Sequence, residues 1–407
     1  MSALETHQEL VARMLARVAP EPHIKTKDID GIVDYMKSPE CKKIMVMAGA
    51  GISTSAGIPD FRSPGTGLYD NLAKLNLPYP QAVFELGYLI ERPEAFYTLA
   101  RELAPGRFRP TVTHSFIKLL ADKGLLNVCF TQNIDSLEAI AGVPQELIIE
   151  AHGSFATQRC IRCKQPYPSD AFAAHLRAGT IPRCELPAPT TPTQTEPGPG
   201  DEHDAAAAPP IDNKYAALAA SLGKTLDSAD GLCHGLIKPD IVFFGEPLPP
   251  AFFAGFPHTL DADLVLIMGT SLKVHPFASL AEMGACPRVL INRDPAGDIG
   301  TETDDVELLM SCDDAVREIA RGMGWAAELD AAWAATALGG EAQDASTRSE
   351  LDRIVANVGK VIGVKESTDE VDALAAGLAK LDVRPPPGDD AGSGGGLDRD
   401  TPADAAA

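Results

Sequence analysis

Short apolar segments alternate with helical periodicity from Ile44 to about Leu290. The segments are Ile44 to Met47, Leu125 to Phe130, Leu147 to Ile149, Leu264 to Met268 and Arg288 to Leu290. That rhythm predicts the buried strands of a doubly wound parallel α/β sheet. A helical pattern from Ser311 to Trp325 closes the series. Small or polar residues follow each predicted strand, and open α/β sheets bind ligands beyond the carboxyl ends of their strands. Those residues are Gly49 onward, Thr131-Gln132-Asn133-Ile134-Asp135, Ala151-His152-Gly153, Gly269-Thr270-Ser271 and Ile291-Asn292-Arg293-Asp294.

The first of these loops carries the most chemistry. It reads Gly-Ala-Gly-Ile-Ser-Thr-Ser-Ala-Gly-Ile-Pro-Asp-Phe-Arg from Gly49 to Arg62. Gly49 and Gly51 imply a close backbone approach that a Cβ would block. At a strand-to-helix turn the approaching group is commonly a pyrophosphate, held by free N–H groups and the helix dipole. The dehydrogenase fingerprint Gly-x-Gly-x-x-Gly is not met, because its third position is Thr54. Asp60, Phe61 and Arg62 lead into Ser63 to Gly67, whose turn formers predict a mobile flap over the ligand.

The region from Gly153 to Leu236 interrupts the alternation. Its stretch Glu185 to Pro210 is rich in Pro, Ala and Thr and reads as a disordered loop. A short helix is expected at Asp212 to Leu226. Ahead of the sheet, Leu10, Val11, Met14, Leu15 and Val18 have helical spacing; that stripe reads as a capping helix or, more weakly, as an export signal. Beyond Gly339, two amphipathic stretches (Ser346 to Ile362 and Thr368 to Leu381) precede a Pro/Gly/Ala/Asp-rich end. The expected organisation is an extension at 1–31, a sheet domain at 32–152 and 237–338, and a small domain at 153–236. That small domain holds a disordered insertion at about 185–232, and an acidic tail spans 339–407.

The 407-residue chain has a formal net charge of −22, which disfavours binding a polyanion. The charge suits a lysine-rich protein partner, or serves solubility alone. No run has the roughly 18 apolar residues that a membrane span needs, and the N-terminus lacks a secretory pattern. These features predict a cytoplasmic protein with nuclear access left open, no direct nucleic acid binding and no membrane association. Eight cysteines in such a chain suggest metal or free thiols before disulfides. Cys160-Ile-Arg-Cys163 has the spacing of half a structural zinc site. Cys41, Cys129 and Cys286 lack such partners and read as buried apolar residues.

Taken in order, the Gly49 loop, Gly-Ile-Pro-Asp-Phe-Arg-Ser (57–63), Thr-Gln-Asn-Ile-Asp (131–135) and His152-Gly153 resemble the sirtuin family. So do Lys238 to Glu246, Gly269 to Leu272 and Leu290 to Asn292. The resemblance runs from about Ile32 to Trp325 and is greatest to the class I branch with the cytoplasmic tubulin and histone deacetylases. It implies a Rossmann-like sheet with a small zinc-binding domain inserted, NAD as co-substrate and one structural Zn2+. It also implies NAD-dependent protein lysine deacetylation that yields free lysine, nicotinamide and O-acetyl-ADP-ribose. Acetylated-lysine proteins would be the partners, with histone- or tubulin-like proteins as candidates.

Residue by residue, the resemblance makes His152 the general base and Asn133 the residue that contacts ribose and positions water. It assigns the cofactor to Ala50, Gly51, Ser53, Thr54, Asp60, Phe61, Arg62, Gln132, Asn133, Ile134 and Asp135. Thr270, Ser271, Asn292, Arg293, Asp294 and Cys312 complete that set. Asp135 would hold the nicotinamide carboxamide, although Asn-Ile-Asp after a strand is also an ordinary helix cap. Taken alone, His152 could be a structural histidine at a strand end. Val242, Phe243, Phe244, Gly245 and Glu246 would clamp substrate backbone as an added strand, or else belong to the sheet core. Between Arg62 and Arg92 the only cation is Lys74, so an acidic acyl chain lacks an arginine anchor; acetyl and other neutral acyl groups are expected.

The chain departs from the family at the metal. The second cysteine pair is split: Cys184 and Cys233 stand on either side of the insertion. The expected ligands are Cys160, Cys163, Cys184 and Cys233; the alternative is a degenerate site with His234. Rival functions are a protein mono-ADP-ribosyltransferase, a non-catalytic acetyl-lysine or NAD reader, and a dehydrogenase.

Overall fold

Five strands end level with one another, and this alignment creates the site. A computed structural model describes residues 22–61, 68, 72, 77–104, 107–188, 230–337 and 357. Its main sheet has six parallel strands in the order β3-β2-β1-β7-β8-β9. These are β1 (Ile44–Ala48), β2 (Leu126–Thr131), β3 (Ile148–Glu150), β7 (Leu264–Met268), β8 (Arg288–Asn292) and β9 (Asp305–Leu309). Ala48 pairs with Thr131 and Met268, Thr131 with Glu150, and Met268 with Ile291. The strand order reverses between β1 and β7, so the ligand crevice of such a sheet opens where Ala48 and Met268 end.

β1 is a continuous apolar run because both of its faces are covered. Ile44, Val46 and Ala48 join a core with Phe116, Ile117, Val316 and Ile319. Met45 and Met47 face the other way, against Phe130, Phe252 and Phe277. Side chains alternate across a strand, so each face receives every second residue. Cutting a fully buried side chain such as Leu266 to Ala costs about 2–5 kcal/mol.

Between β3 and β7 the chain forms a smaller antiparallel sheet, ordered β5-β4-β6. Its strands are β4 (Gly153–Cys160), β5 (Pro166–Tyr167) and β6 (Ile237–Ile241). A separate core containing Phe84, Phe96, Phe155, Phe172, Ile237 and Phe243 underlies it.

Most predicted strands are found within a residue or two of their expected ends. The helix expected at Ser311 to Trp325 is Cys312–Met323, capped by Ser311 and stopped by Gly324 at φ 77°. A second helix, Ala326–Ala335, follows it. The turn after β1 is a short 3-10 helix, Ala50–Ala56, and not an α-helix. The Leu10 to Val18 stripe, Arg62, Ser63 to Gly67 and Asp212 to Leu226 lie outside the described residues. So do residues 189–229 and, apart from Asn357, the chain from 338 onward.

Candidate active site

The glycines after β1 do approach something closely, but that something is protein. Gly49 N–H donates to Met268 O and Gly51 N–H to Gly269 O, at 3.0 and 2.8 Å. A Cβ on Gly51 would lie 2.7 Å from Gly269 Cα, and one on Gly269 (φ +63°) would lie 2.4 Å from Ile52 N. These glycines lock the β1 and β7 loops together. The locked pair forms the floor of the crevice.

Polar side chains converge on this floor. Asn133 is buried, and its amide donates to Gly49 O at 3.2 Å and Ser53 Oγ at 3.3 Å. Ser53 Oγ donates in turn to Asp135 Oδ2 at 2.7 Å. Asp135 Oδ1 accepts Leu137 N–H at 2.9 Å in a side-chain turn across Ser136, the residue that caps the helix Leu137–Ile140. Thr270 Oγ1 donates to Gln132 Oε1 at 2.7 Å, joining the ends of β7 and β2. Thr54 Oγ1 donates to Gly51 O within the loop.

His152 lies beyond β3, half buried, with Nδ1 3.0 Å from Gln132 O. A carbonyl can only accept, so Nδ1 carries the hydrogen and Nε2 is left as a base. Burial lowers its pKa from the ordinary histidine value, and the Gln132 hydrogen bond opposes that shift. The neutral imidazole is therefore favoured. Gly153 follows with φ +67°, where a Cβ would lie 1.9 Å from Asp240 O. This glycine lets β4 press on β6, and His152 O accepts Val242 N–H at 2.8 Å.

The segment after β6 divides between core and surface. Phe243 is fully buried and meets Phe84 and Phe96 edge-on, while Phe244 is exposed. Phe61 packs edge-on against Phe84 at 6.0 Å, linking the loop after β1 to the same cluster. Lys238, absent from the predicted site, ties this segment down. Its buried Nζ donates to Ile241 O at 2.7 Å and pairs with Glu246 Oε2 at 2.9 Å, and that same oxygen accepts Phe243 N–H.

On the far side of the switch point, Asn292 donates to Asp294 O at 2.8 Å, and Arg293 and Asp294 are exposed. Ser271 is exposed as well, whereas Ala50 and Ile134 are partly covered. Cys312 is buried under β8, its Sγ 3.3 Å from Ile291 O, and burial pushes its thiol pKa up to about 12. Asp60 accepts Leu68 N–H through its carbonyl.

Four residues behind the crevice were missed. Asp313 accepts from Ser55 Oγ, Thr113 Oγ1 and Thr113 N, bracing the 3-10 turn from 258 residues away. Thr111 donates to Ile52 O and forms a reciprocal cap with His114. Glu138 is almost fully buried and accepts from Thr131 Oγ1 at 2.6 Å. Only Thr111 had a local signal, a hydroxyl just before a helical pattern; the other partners are remote or hidden in helical periodicity.

The cysteines assemble across the insertion. Cys184 N–H donates to Gly235 O, His234 N–H to Cys184 O, Cys233 N–H to Leu186 O and Ala188 N–H to Gly231 O. This antiparallel ladder joins both ends of the insertion and brings Cys184 beside Cys233. The Sγ atoms of Cys160 and Cys233 lie 3.6 Å apart, as do those of Cys163 and Cys184, and all four lie within 4.8 Å of one another. Thiolates around one tetrahedral zinc are roughly 3.8 Å apart for Zn–S bonds of about 2.3 Å, so the set fits a structural zinc. Backbone N–H groups of Arg162 and Cys163 point at Cys160 Sγ. His234 turns away, its Nε2 2.8 Å from Asp230 Oδ2, so it does not replace a cysteine. Gly235 allows the ladder to pass Cys160, because a Cβ there would lie 2.4 Å from Cys160 Sγ. Among the described residues, no helix is long and apolar enough to cross a membrane.

The model of the Sir2 family matches residues 49–276. The chain is 44% identical over 316 residues to the NAD-dependent protein deacetylase hst2-1 of Emericella nidulans, covering 77% of this chain and 75% of that protein. It is 44% identical to the NAD-dependent protein deacetylase hst2 of Schizosaccharomyces pombe, over 75% of this chain and 79% of the other. Identity to the NAD-dependent protein deacetylase sirtuin-2 of Danio rerio is 41%, over 79% of each.

Proposed function

Since this chain belongs to the Sir2 family, we propose how its own residues carry out NAD-dependent protein lysine deacetylation. The observation that carries the reading is a set of polar groups grouped at the strand ends: His152 Nδ1 on Gln132 O, the Asn133–Ser53–Asp135 network and the Thr270–Gln132 bridge. Bound NAD supplies a ribose carbon that accepts the acetyl oxygen and releases nicotinamide.

His152 is the general base. Its Nδ1–H is spent on Gln132 O, which fixes the tautomer and aims Nε2 as acceptor for a ribose hydroxyl proton. Asn133 orients the ribose and a water, held in place by Gly49 O and Ser53 Oγ. Asp135 accepts the nicotinamide carboxamide. Ala50, Ser53 and Thr54 of the turn after β1, with Thr270 and Ser271, serve the phosphates, while Gly51 N–H stays on Gly269 O and holds the turn in place; Asn292, Arg293, Asp294 and Cys312 serve the adenosine end. Phe61 shields the reacting carbon from returning nicotinamide, and Asp60 and Arg62 are cofactor-binding residues by their match to the family's flap.

Val242 to Glu246 receives the acyl-lysine peptide beside the base, because Val242 is hydrogen-bonded to His152 O. Phe243 supports this clamp from below, and Phe244 and Gly245 form its accessible edge. Zinc at Cys160, Cys163, Cys184 and Cys233 is structural, since four thiolates leave no coordination position for chemistry.

Acetylated proteins are the substrates, with histone- and tubulin-like proteins as candidates. The working compartment is the cytoplasm, with access to the nucleus. The division into a sheet domain (32–152 and 237–338), a zinc domain (153–236) and a tail (339–407) is likewise proposed. Mass spectrometry of an acetyl-lysine peptide incubated with and without NAD tests the reading. O-acetyl-ADP-ribose with free lysine is expected; ADP-ribose attached to protein would instead favour the transferase.

A further inference from the structure

Three buried titratable side chains, His114, Asp135 and Glu138, meet behind the crevice. A ring nitrogen of His114 and one carboxylate oxygen each from Asp135 and Glu138 all lie within 4.8 Å of one another. Thr111 meets Nδ1 of His114 twice, through its N–H at 3.2 Å and its Oγ1 at 2.7 Å, while that Oγ1 also donates to Ile52 O. The other ring nitrogen, Nε2, is fully buried and has no hydrogen-bond partner, which is rare for a buried polar atom.

Two buried carboxylates this close do not both ionise. The donors decide which keeps the charge. Asp135 receives Ser53 Oγ–H and Leu137 N–H, whereas Glu138 receives Thr131 Oγ1–H and is 1% exposed against 8% for Asp135. We propose that Glu138 is a positioning residue for Asp135: Glu138 keeps its proton beside the Asp135 carboxylate, the buried His114 ring backs the pair without adding a charge, and a single negative charge stays on Asp135. The proposal rests on the reading that Asp135 accepts the nicotinamide carboxamide.

The groups facing Glu138 support this arrangement. Asp135 lies on its own loop, Glu150 on β3, Cys129 on β2 and His114 on the helix Val112–Asp122. Burial first, then Asp135 and Glu150, push the Glu138 pKa up to about 8. Burial holds Cys129 protonated and pushes His114 down to about 3, so neither titrates near neutrality. Above about pH 8 the Glu138 proton leaves, a second charge appears beside Asp135, and the pocket loses its geometry.

The test is the pH profile of kcat/KM for NAD at saturating acetyl-lysine peptide, in wild type, Glu138→Gln and Asp135→Asn. A Gln amide can donate to Asp135 without titrating. Wild type is expected to fall roughly fivefold or more between about pH 7.5 and 9.5, and Glu138→Gln less than about twofold. An equally steep fall in Glu138→Gln, or a folded but inactive Glu138→Gln, overturns the proposal. If Glu138→Gln fails to fold, infrared spectra of wild type decide: a protonated-carboxyl band must titrate away above about pH 8, and its absence at neutral pH overturns the proposal. Asp135→Asn separates the two claims. Normal turnover in that variant removes the carboxamide reading, whereas a loss of turnover with unchanged pH limbs in Glu138→Gln removes only the present one.

Discussion

His152 Nδ1 lies 3.0 Å from Gln132 O, and this contact makes the ring a base. His152→Tyr is expected to lower deacetylation by at least about a hundredfold, the usual scale of general-base loss. Nicotinamide exchange into NAD should be far less affected, because nicotinamide leaves before the base acts. Comparing the two rates in one preparation checks this; equal losses would place His152 in the earlier step.

The pH dependence of that base has a definite sign. Burial disfavours the cation, so His152 releases its proton below the ordinary value of 6.5 and stays a base in mildly acidic solution. The acid limb of kcat/KM should therefore inflect below about pH 6.5. An inflection above that value would mean that an unseen negative charge faces the ring.

Zinc retention distinguishes the cysteine set from its alternative. Cys233→Ser should release the metal and lower Tm, because the remaining thiolates lose a ligand that seals the ladder. His234→Ala should retain zinc fully, since its ring contacts Asp230. Metal analysis after gel filtration reads both variants, and zinc loss in His234→Ala would contradict the assignment.

The insertion can be shortened without touching this metal. Ala188 N–H and Gly231 O close the ladder at 2.8 Å, so a turn of a few residues can replace 189–229. Loop closure costs about 0.6 kcal/mol per doubling of length, so shortening should leave stability equal or slightly raised. Tm and zinc content of the shortened chain check this, and loss of zinc would give the insertion a structural role.

Gly51→Ala tests the locked floor. Its Cβ would be forced to within 2.7 Å of Gly269 Cα, which is backbone and cannot rotate away. The cost should be about 1–3 kcal/mol, with KM for NAD raised more than KM for peptide. A neutral result would mean that the β1 and β7 loops are not held as described.

The strands and the site motifs were legible because each has a local cause. β1 and β7 are apolar throughout since both faces are covered, and the polar residues that follow them sit where such sheets bind ligands. The split cysteine pair was legible only as a guess about register. The ladder from Cys184 to Gly235 depends on backbone pairing across the insertion, which leaves no periodic trace. His114, Glu138 and Asp313 were missed for a related reason. Each lies on an ordinary helical pattern, and its partner is set by tertiary packing. Gly49 and Gly51 were correctly read as close approaches, but composition alone could not tell neighbouring backbone from a ligand.

The most direct test counts products against NAD under limiting NAD, for wild type and His152→Tyr with an acetyl-lysine peptide. Wild type should form one deacetylated lysine and one O-acetyl-ADP-ribose for each NAD consumed, and the variant essentially no free lysine. Free lysine formed without NAD, or full turnover by His152→Tyr, would contradict this mechanism.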